Sequence, residues 1–274
     1  MKIDGKKIAE EIKEKIKNSF DFVREAKRPH ILAVVYAGEN QASETFIKIK
    51  EKTAKELKID FRVYKFSENI SSKKLREEVV KIGKQELVKG LIVQLPLPEK
   101  INRQKILNAI PEKKDLDCLS EKNWGKLVLK KEGVLPPAVE AVKEILKIKE
   151  IDFSLQGNNM RVAVVGAGFL VGKPVAVWMM GKVGELAVFD EGSDLNELKK
   201  YDLVVTGVGK AGIIKTEFLK EGAGVIDFGY DGGKGDLDVN NEKELEKLSF
   251  YTPTPGGTGP ILVAKLFENF FKSV

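Results

Sequence analysis

Apolar and polar positions fall into two alternating patterns along the chain. Short runs of β-branched and aliphatic residues are separated by longer stretches in which apolar residues recur every three or four positions. The first pattern predicts strands buried on both faces, the second amphipathic helices. Ile8, Ile12, Ile16 and Phe20 share one face of a helix over residues 6–20. Strands are predicted at 31–36, 59–66 and 90–95, with helices at 43–57, 72–86 and 103–109. A loop at 111–125 and a helix at 137–147 lead into a second run, with strands at 161–165, 186–189, 203–206 and 225–228. Such alternation predicts an α/β fold with parallel sheets covered by helices, in two domains joined near residue 138. A last helix at 261–271 is expected to return to the first domain.

The second run opens on the most informative segment. The apolar run Arg161-Val-Ala-Val-Val breaks into Gly166-Ala167-Gly168-Phe-Leu-Val-Gly172 before a helix begins. Glycines there permit a tight turn and close backbone approach, and the helix start offers unpaired N–H groups to a pyrophosphate. The spacing, GxGxxxG, is a loosened dinucleotide fingerprint, and glycine turns of this kind also occur without nucleotides. The next short strand, 186–189, ends in Asp190-Glu191, where a dinucleotide fold places the carboxylate that binds the adenosine ribose. Gly207, Gly209 and Tyr230, each following a later strand, complete the cofactor-binding candidates.

Composition narrows the chemistry. The 274 residues hold 47 basic and 41 acidic side chains, a net charge of +6. The basic residues are mostly lysines interleaved with glutamates at helical spacing, which describes a solvated surface. The few arginines (Arg24, Arg28, Arg62, Arg76, Arg103, Arg161) are scattered, so a nucleic-acid reader is not indicated. No apolar run approaches a membrane span and no secretory signal opens the chain, so a cytoplasmic protein without a membrane partner is expected. One histidine, His30, and one cysteine, Cys118, exclude a zinc site of the usual kind and leave no internal disulfide. No metal is expected, and proton transfer falls to Lys, Asp, Glu or Tyr.

In the first domain, Phe46, Ile47, Lys50, Thr53, Ala54 and Leu57 form one helical stripe, which puts Lys50 where an apolar residue belongs. Its ammonium can snorkel to water, or partial burial can lower its pKa so that it exchanges protons. Gln94 follows the apolar run Leu91-Ile-Val, at the carboxyl end of a strand, where open α/β sheets bind ligands. Asp115 and Asp117 lie in the next crossover loop. The segment from Thr252 to Pro260 is rich in proline and glycine, and reads as a stiff linker whose glycines leave backbone N–H groups available at the domain junction.

Together these residues resemble the bifunctional methylenetetrahydrofolate dehydrogenase/methenyltetrahydrofolate cyclohydrolase family over nearly the whole chain. Ser43 to Lys50 matches the family's S-x-x-Y-x-x-x-K, and Gly90 to Pro98 matches G-x-x-V-Q-L-P-L-P. Lys114-Asp-Leu-Asp117 matches K-D-V-D, and Thr252 to Pro260 matches T-P-V-P-G-G-V-G-P. The resemblance implies a folate-binding catalytic domain (1–137, with 258–274), a Rossmann-like NAD(P)-binding domain (138–257), a cleft shared between them, and a homodimer. It implies Lys50 as the catalytic lysine, Gln94 as the amide that orients it, and Asp117 as the carboxylate that anchors the pterin. Phe46, Pro255, Gly256 and Gly257 would contact the tetrahydrofolate substrate.

The departures are informative. Phe46 stands where the family has tyrosine, which keeps the ring and loses the hydroxyl. Pro136-Pro-Ala-Val139 replaces P-C-T-P, and Leu262 replaces a threonine. The family's G-R-S-x-x-V-G has become the glycine turn above, and its C-H-S has become Phe189-Asp190-Glu191. Ala167 thus removes an arginine suited to a 2′-phosphate, and two carboxylates stand near the expected position of that phosphate. NAD is therefore expected over NADP. A cyclohydrolase that has lost hydride transfer, another two-domain dehydrogenase and a non-catalytic folate or nucleotide binder are the alternatives.

Overall fold

The computed structural model describes residues 1–19, 30–153 and 159–273; Phe20, Arg24 and Arg28 lie outside them. The chain divides into two compact units. One comprises Glu10–Pro137 with Val263–Val274, the other Met1–Ala9 with Ala138–Leu262.

The first unit is built on three parallel strands, β1 (Ile31–Ala37), β2 (Asp60–Phe66) and β3 (Val88–Val93), in the order β2-β1-β3. β1 is central and buried at every position, as its unbroken ILAVVYA run requires. The helix Gln41–Glu56 follows it, started by Asn40, whose side chain accepts from the Ser43 amide at 2.9 Å. Ser71 and Asn102 cap the helices Ser72–Gly83 and Arg103–Leu107 in the same way.

Expected strand 90–95 begins and ends two residues earlier. Gln94 lies just past the strand, although its amide still donates to Val35 O at 2.9 Å. The expected loop at 111–125 holds a 3₁₀ turn, Glu112–Lys114, and the first part of the helix Glu121–Val128, capped by Ser120. The last helix, Thr258–Lys272, starts earlier than its apolar period suggested. Its end returns to this unit, where a Cβ on Gly90 would come within 2.8 Å of the Phe270 ring. Asn269 fixes that end by donating to Leu116 O and Leu135 O at 3.0 and 2.9 Å.

The second unit is a five-stranded parallel sheet: β4 (Arg161–Val165), β5 (Glu185–Phe189), β6 (Leu203–Thr206), β7 (Gly224–Asp227) and β8 (Phe250–Tyr251), in the order β5-β4-β6-β7-β8. β8 is two residues long and escaped the apolar pattern. The amino terminus pairs with it: Ile3 N donates to Tyr251 O at 2.8 Å and Tyr251 N to Met1 O at 3.0 Å. Backbone pairing therefore groups Met1–Ala9 with the second unit, whereas the sequence pattern assigned these residues to the first.

Each sheet has one strand, β1 in the first and β4 in the second, whose neighbours are reached by crossovers in opposite directions. In such sheets the two connections diverge at the carboxyl ends of the strands and leave room for a ligand. In the first unit that point lies between β1 and β3, beside Gln94; in the second it lies between β4 and β6, beside Gly166 and Gly207.

Candidate active site

Lys50 lies on the helix Gln41–Glu56 at the border of its buried face. Ile47, Thr53 and Ala54 are buried, Lys50 is half-buried, and Phe46 is 36% exposed, so Phe46 leaves the buried stripe on which the sequence placed it. Residues 46 and 50 are one turn apart on the same line of the helix, on the flank of the row that covers the sheet. An exposed aromatic ring consequently stands one turn before the lysine.

Lys50 Nζ donates to Gln94 Oε1 at 3.0 Å. The amide cannot turn freely, because Gln94 Nε2 donates to Leu95 O at 2.9 Å, and Ser43 Oγ donates to the same carbonyl at 3.1 Å. Leu95 O accepts only, so the NH₂ end faces it and the oxygen end faces the lysine. Burial pushes the Lys50 ammonium below the usual lysine range, and the Asp117 carboxylate opposes that shift. For Asp117, burial raises the carboxyl above its ordinary range, Lys50 draws it down, and Asp115 adds to the rise. Burial is the larger effect on both partners.

Asp115 and Asp117 have different surroundings. Asp115 is buried and accepts from Leu119 N (3.2 Å), Ser120 N (2.9 Å) and Asn123 Nδ2 (3.0 Å), so it organises the start of the helix Glu121–Val128. Asp117 is the carboxylate whose charge acts on Lys50.

In the second unit, Gly166 has φ +89° and its amide donates to Phe189 O at 2.7 Å, while Gly207 N donates to Val165 O at 3.0 Å. A Cβ on Gly172 would lie 1.7 Å from Gly166 O, so only glycine lets the helix Gly172–Met179 begin this close to the strand end. No side chain caps that helix. The surrounding backbone is therefore a cradle that side-chain carbons would fill; Lys173 N donates to Gly168 O at 3.0 Å and Pro174 has no N–H, so the glycine turn and the Gly172 amide are what it offers a pyrophosphate. Ala167 is half-buried and Gly168 exposed beside the turn.

Asp190 and Glu191 follow β5 immediately after the carbonyl that holds Gly166, and both are exposed. Among the described residues neither carboxylate pairs with a cation. Gly209 has φ +76°, and Tyr230 O lies 3.9 Å from the position of a Cβ on it.

Pro255, Gly256 and Gly257 also belong to the second unit. Gly256 has φ +93°, and a Cβ on Gly257 would meet Pro253 O at 2.4 Å. Gly257 O in turn lies 1.7 Å from where a Cβ on Gly5 would be, so the first helix starts against this segment.

Sequence reading missed two buried carboxylates here, Asp227 and Asp236. Burial raises Asp227 to about 6, and Asp236 adds to the rise. The available signal was a charged residue closing the apolar strand β7, followed by Gly235-Asp236-Leu-Asp. Among the described residues no group of three potential metal-ligating side chains occurs, and no helix is long and apolar enough to cross a membrane.

Comparison with known proteins covers both units. Residues 3–117 match the family model of the tetrahydrofolate dehydrogenase/cyclohydrolase catalytic domain, and residues 136–274 that of the tetrahydrofolate dehydrogenase/cyclohydrolase NAD(P)-binding domain. The chain is 34% identical over 279 residues to the "Bifunctional protein FolD" of Listeria innocua, covering 99% of this chain and 96% of that protein. It is 35% identical over 278 residues to the protein of the same name from a Nitratiruptor species, with the same coverage. Among solved structures, the bifunctional methylenetetrahydrofolate dehydrogenase/cyclohydrolase of Campylobacter jejuni superposes with a TM-score of 0.91 at 34% identity, over 100% of this chain and 98% of that one. The Trypanosoma brucei dehydrogenase-cyclohydrolase, solved with NADP and an inhibitor, superposes with a TM-score of 0.87 at 27% identity, over 99% and 97%. Since the two family models between them span both sheets and the likeness runs almost end to end, the chain belongs to the tetrahydrofolate dehydrogenase/cyclohydrolase family.

Proposed function

We propose that this protein oxidises 5,10-methylenetetrahydrofolate to the 5,10-methenyl form with NAD(P) and hydrolyses the methenyl form to 10-formyltetrahydrofolate. The observation that carries the reading is the half-buried Lys50, whose nitrogen is held 3.0 Å from a fixed amide oxygen while burial lowers its pKa. A bound NAD(P) supplies the hydride acceptor. Gly166, Gly168, Gly172 and Gly207 would let its pyrophosphate approach the uncapped helix, Ala167 lines the turn, and Gly209 and Tyr230 border the same edge.

Charge decides the role of Lys50. Removal of hydride leaves a cation spread over the N5–C–N10 bridge of the folate, and an ammonium beside it would oppose that charge. A neutral amine does not, and it donates one N–H to Gln94 Oε1 while its lone pair remains directed elsewhere. In the hydrolytic step that lone pair takes a proton from water as the oxygen bonds to the methenyl carbon, so Lys50 acts as general base; the carbon–N5 bond of the adduct then breaks, N5 takes up a proton and the formyl group stays on N10. Asp117 anchors the pterin and offsets positive charge. Phe46 stacks on the folate without a hydroxyl to orient it, and Pro255, Gly256 and Gly257 contribute backbone contacts.

The exposed carboxylates of Asp190 and Glu191 support a preference for NAD, since they accept from a ribose diol and repel a 2′-phosphate. One experiment tests the reading: methylenetetrahydrofolate oxidation measured separately with NAD and NADP, alongside methenyl hydrolysis, for the unaltered protein and for Lys50→Met. Both reactions are expected, with NAD favoured at least about tenfold in kcat/KM, or about 1.4 kcal/mol, which lies between the cost of a like-charge contact in water, about 1 kcal/mol, and near a protein surface, about 4 kcal/mol. Hydrolysis should vanish in Lys50→Met. Equal efficiency with the two nucleotides would refute the preference, hydrolysis without oxidation would leave a monofunctional cyclohydrolase, and wild-type hydrolysis in Lys50→Met would refute the lysine's role.

A further inference from the structure

Asp236 is fully buried and its two oxygens accept four hydrogen bonds from one short stretch of chain. Oδ2 accepts from Thr206 Oγ1 and from Val208 N, both at 2.7 Å, and Oδ1 accepts from Gly209 N and Lys210 N, both at 2.9 Å. Three successive amides therefore converge on one carboxylate. Such a run of N–H groups is ordinarily a cradle for a ligand's anion, and here the protein fills it with its own side chain.

The peptide geometry turns this into a statement about the other face of the loop. In a trans peptide the carbonyl points opposite to the following N–H, and the only cis peptides are at Pro96 and Pro255 among the described residues. With the amides of residues 208, 209 and 210 aimed at Asp236, the carbonyls of Gly207, Val208 and Gly209 face away from it. Gly207 O lies 3.3 Å from the position of a Cβ on Gly166 and 3.8 Å from one on Gly168, so it looks onto the glycine turn. Among the described residues none of these three carbonyls accepts a hydrogen bond.

Asp236 is itself held in place. A Cβ on Gly229 would lie 2.1 Å from Asp236 Oδ1, and Asp227 accepts from Gly229 N at 2.6 Å and from Leu237 N at 2.9 Å. The end of β7 thereby clamps the segment that carries Asp236 on both sides.

We propose that Asp236 is a positioning residue for the dinucleotide, one that occupies the amide cradle and turns the carbonyls of Gly207, Val208 and Gly209 outward as a rim of acceptors. The inference rests on the reading of this unit as a NAD(P) site. The uncapped helix start suits phosphate, whereas a carbonyl rim suits donors. The donors of the dinucleotide that lie beyond its pyrophosphate are the ribose hydroxyls and carboxamide N–H groups of the nicotinamide riboside half. An open amide cradle in the same place would instead attract the phosphates and mis-seat the molecule.

Calorimetric titration of the whole protein with NAD⁺, and separately with ADP, tests this without reference to turnover. In Asp236→Asn an amide NH₂ must face backbone N–H groups, and the loop loses its fixed orientation. NAD⁺ is expected to bind about tenfold or more weakly, as the loss of one or two buried hydrogen-bond acceptors implies, while ADP, which lacks the nicotinamide riboside, changes less than about twofold. Thr206→Val removes one of the four donors with little change of shape. It should weaken NAD⁺ selectively by about threefold, and it decides the matter if thermal unfolding shows the asparagine variant unfolded. NAD⁺ affinity unchanged in a folded variant, or ADP affinity falling as far as that of NAD⁺, overturns the positioning role alone. Failure of the unaltered protein to bind either NAD⁺ or NADP⁺ overturns the functional reading and this inference with it.

Discussion

Replacing Gln94 by glutamate changes one group in the lysine network while keeping its shape. The amide oxygen lies 3.0 Å from Lys50 Nζ, so the substitution puts a carboxylate at that distance from the amine. At an effective dielectric constant of about 20, two unit charges so placed attract by about 5 kcal/mol. Lys50 is only half-buried, and solvent screening reduces this to roughly 2–3 kcal/mol, or about 2 pK units. The direction is upward, against the lowering that burial imposes. If the neutral amine is the base for water attack, the acid limb of methenyl hydrolysis should move about 2 pH units toward alkali. At any pH below the limb the variant should be about a hundredfold slower, and the two enzymes should converge as pH rises. The assay is log kcat/KM for methenyl hydrolysis over about pH 5–9, with Gln94→Leu as the uncharged control. That control loses the acceptor and the bond to Leu95 O, so its rate should fall with little movement of the limb. A Gln94→Glu profile superimposable on the wild-type limb would refute the reasoning, because no general base at Lys50 could ignore a charge at this distance.

Asp117→Asn removes the carboxylate that raises the Lys50 pKa, so the same limb should move toward acid while KM for the folate rises; an unmoved limb and unmoved KM would count against both roles. In Gly172→Ala the new Cβ meets Gly166 O at 1.7 Å, a backbone contact that cannot relax by rotamer change. Nucleotide binding should be lost and stability fall by about 3 kcal/mol or more, read by calorimetric titration and chemical unfolding. Replacing Asp190 and Glu191 together by serine should raise the NADP-to-NAD ratio of kcat/KM about tenfold or more, and an unchanged ratio would show that these carboxylates do not meet the adenosine ribose.

The alternation of runs and stripes made both parallel sheets legible, because parallel strands are apolar throughout and their crossover helices are amphipathic. The same logic found Lys50 and Gln94, one breaking an apolar stripe and the other closing an apolar strand. The stripe was less reliable for Phe46, since six residues at helical spacing sweep an arc wider than the face the sheet covers. The helix Glu121–Val128 was missed because its capping serine precedes only two turns, and those turns leave Val128 exposed. Asp236 was illegible for a different reason. A carboxylate in a glycine-rich loop reads as solvated, and the donors that bury it come from Thr206 to Lys210, some thirty positions earlier in the chain.

Asp117 and Lys50 make the clearest case for coupling between charge and chemistry. Burial drives each toward its neutral form, and each is the main charge that opposes this for the other. Two arrangements carry no net charge, the ion pair and the doubly neutral pair, and they differ by the position of one proton. Neither suits a substrate that becomes cationic. On the proposed reading the productive form is the third one, with the carboxylate ionised and the amine neutral, because its single negative charge matches the methenyl cation. Burial favours the amine half of that form and opposes its carboxylate half, whereas arrival of positive charge on the folate favours both, by repelling the ammonium proton and stabilising the carboxylate. The substrate cation therefore raises the share of Lys50 present as free amine, at the cost of some basicity, while Gln94 only fixes where that base stands. This is why a charge placed at residue 94 should be far more damaging than the loss of its hydrogen bond.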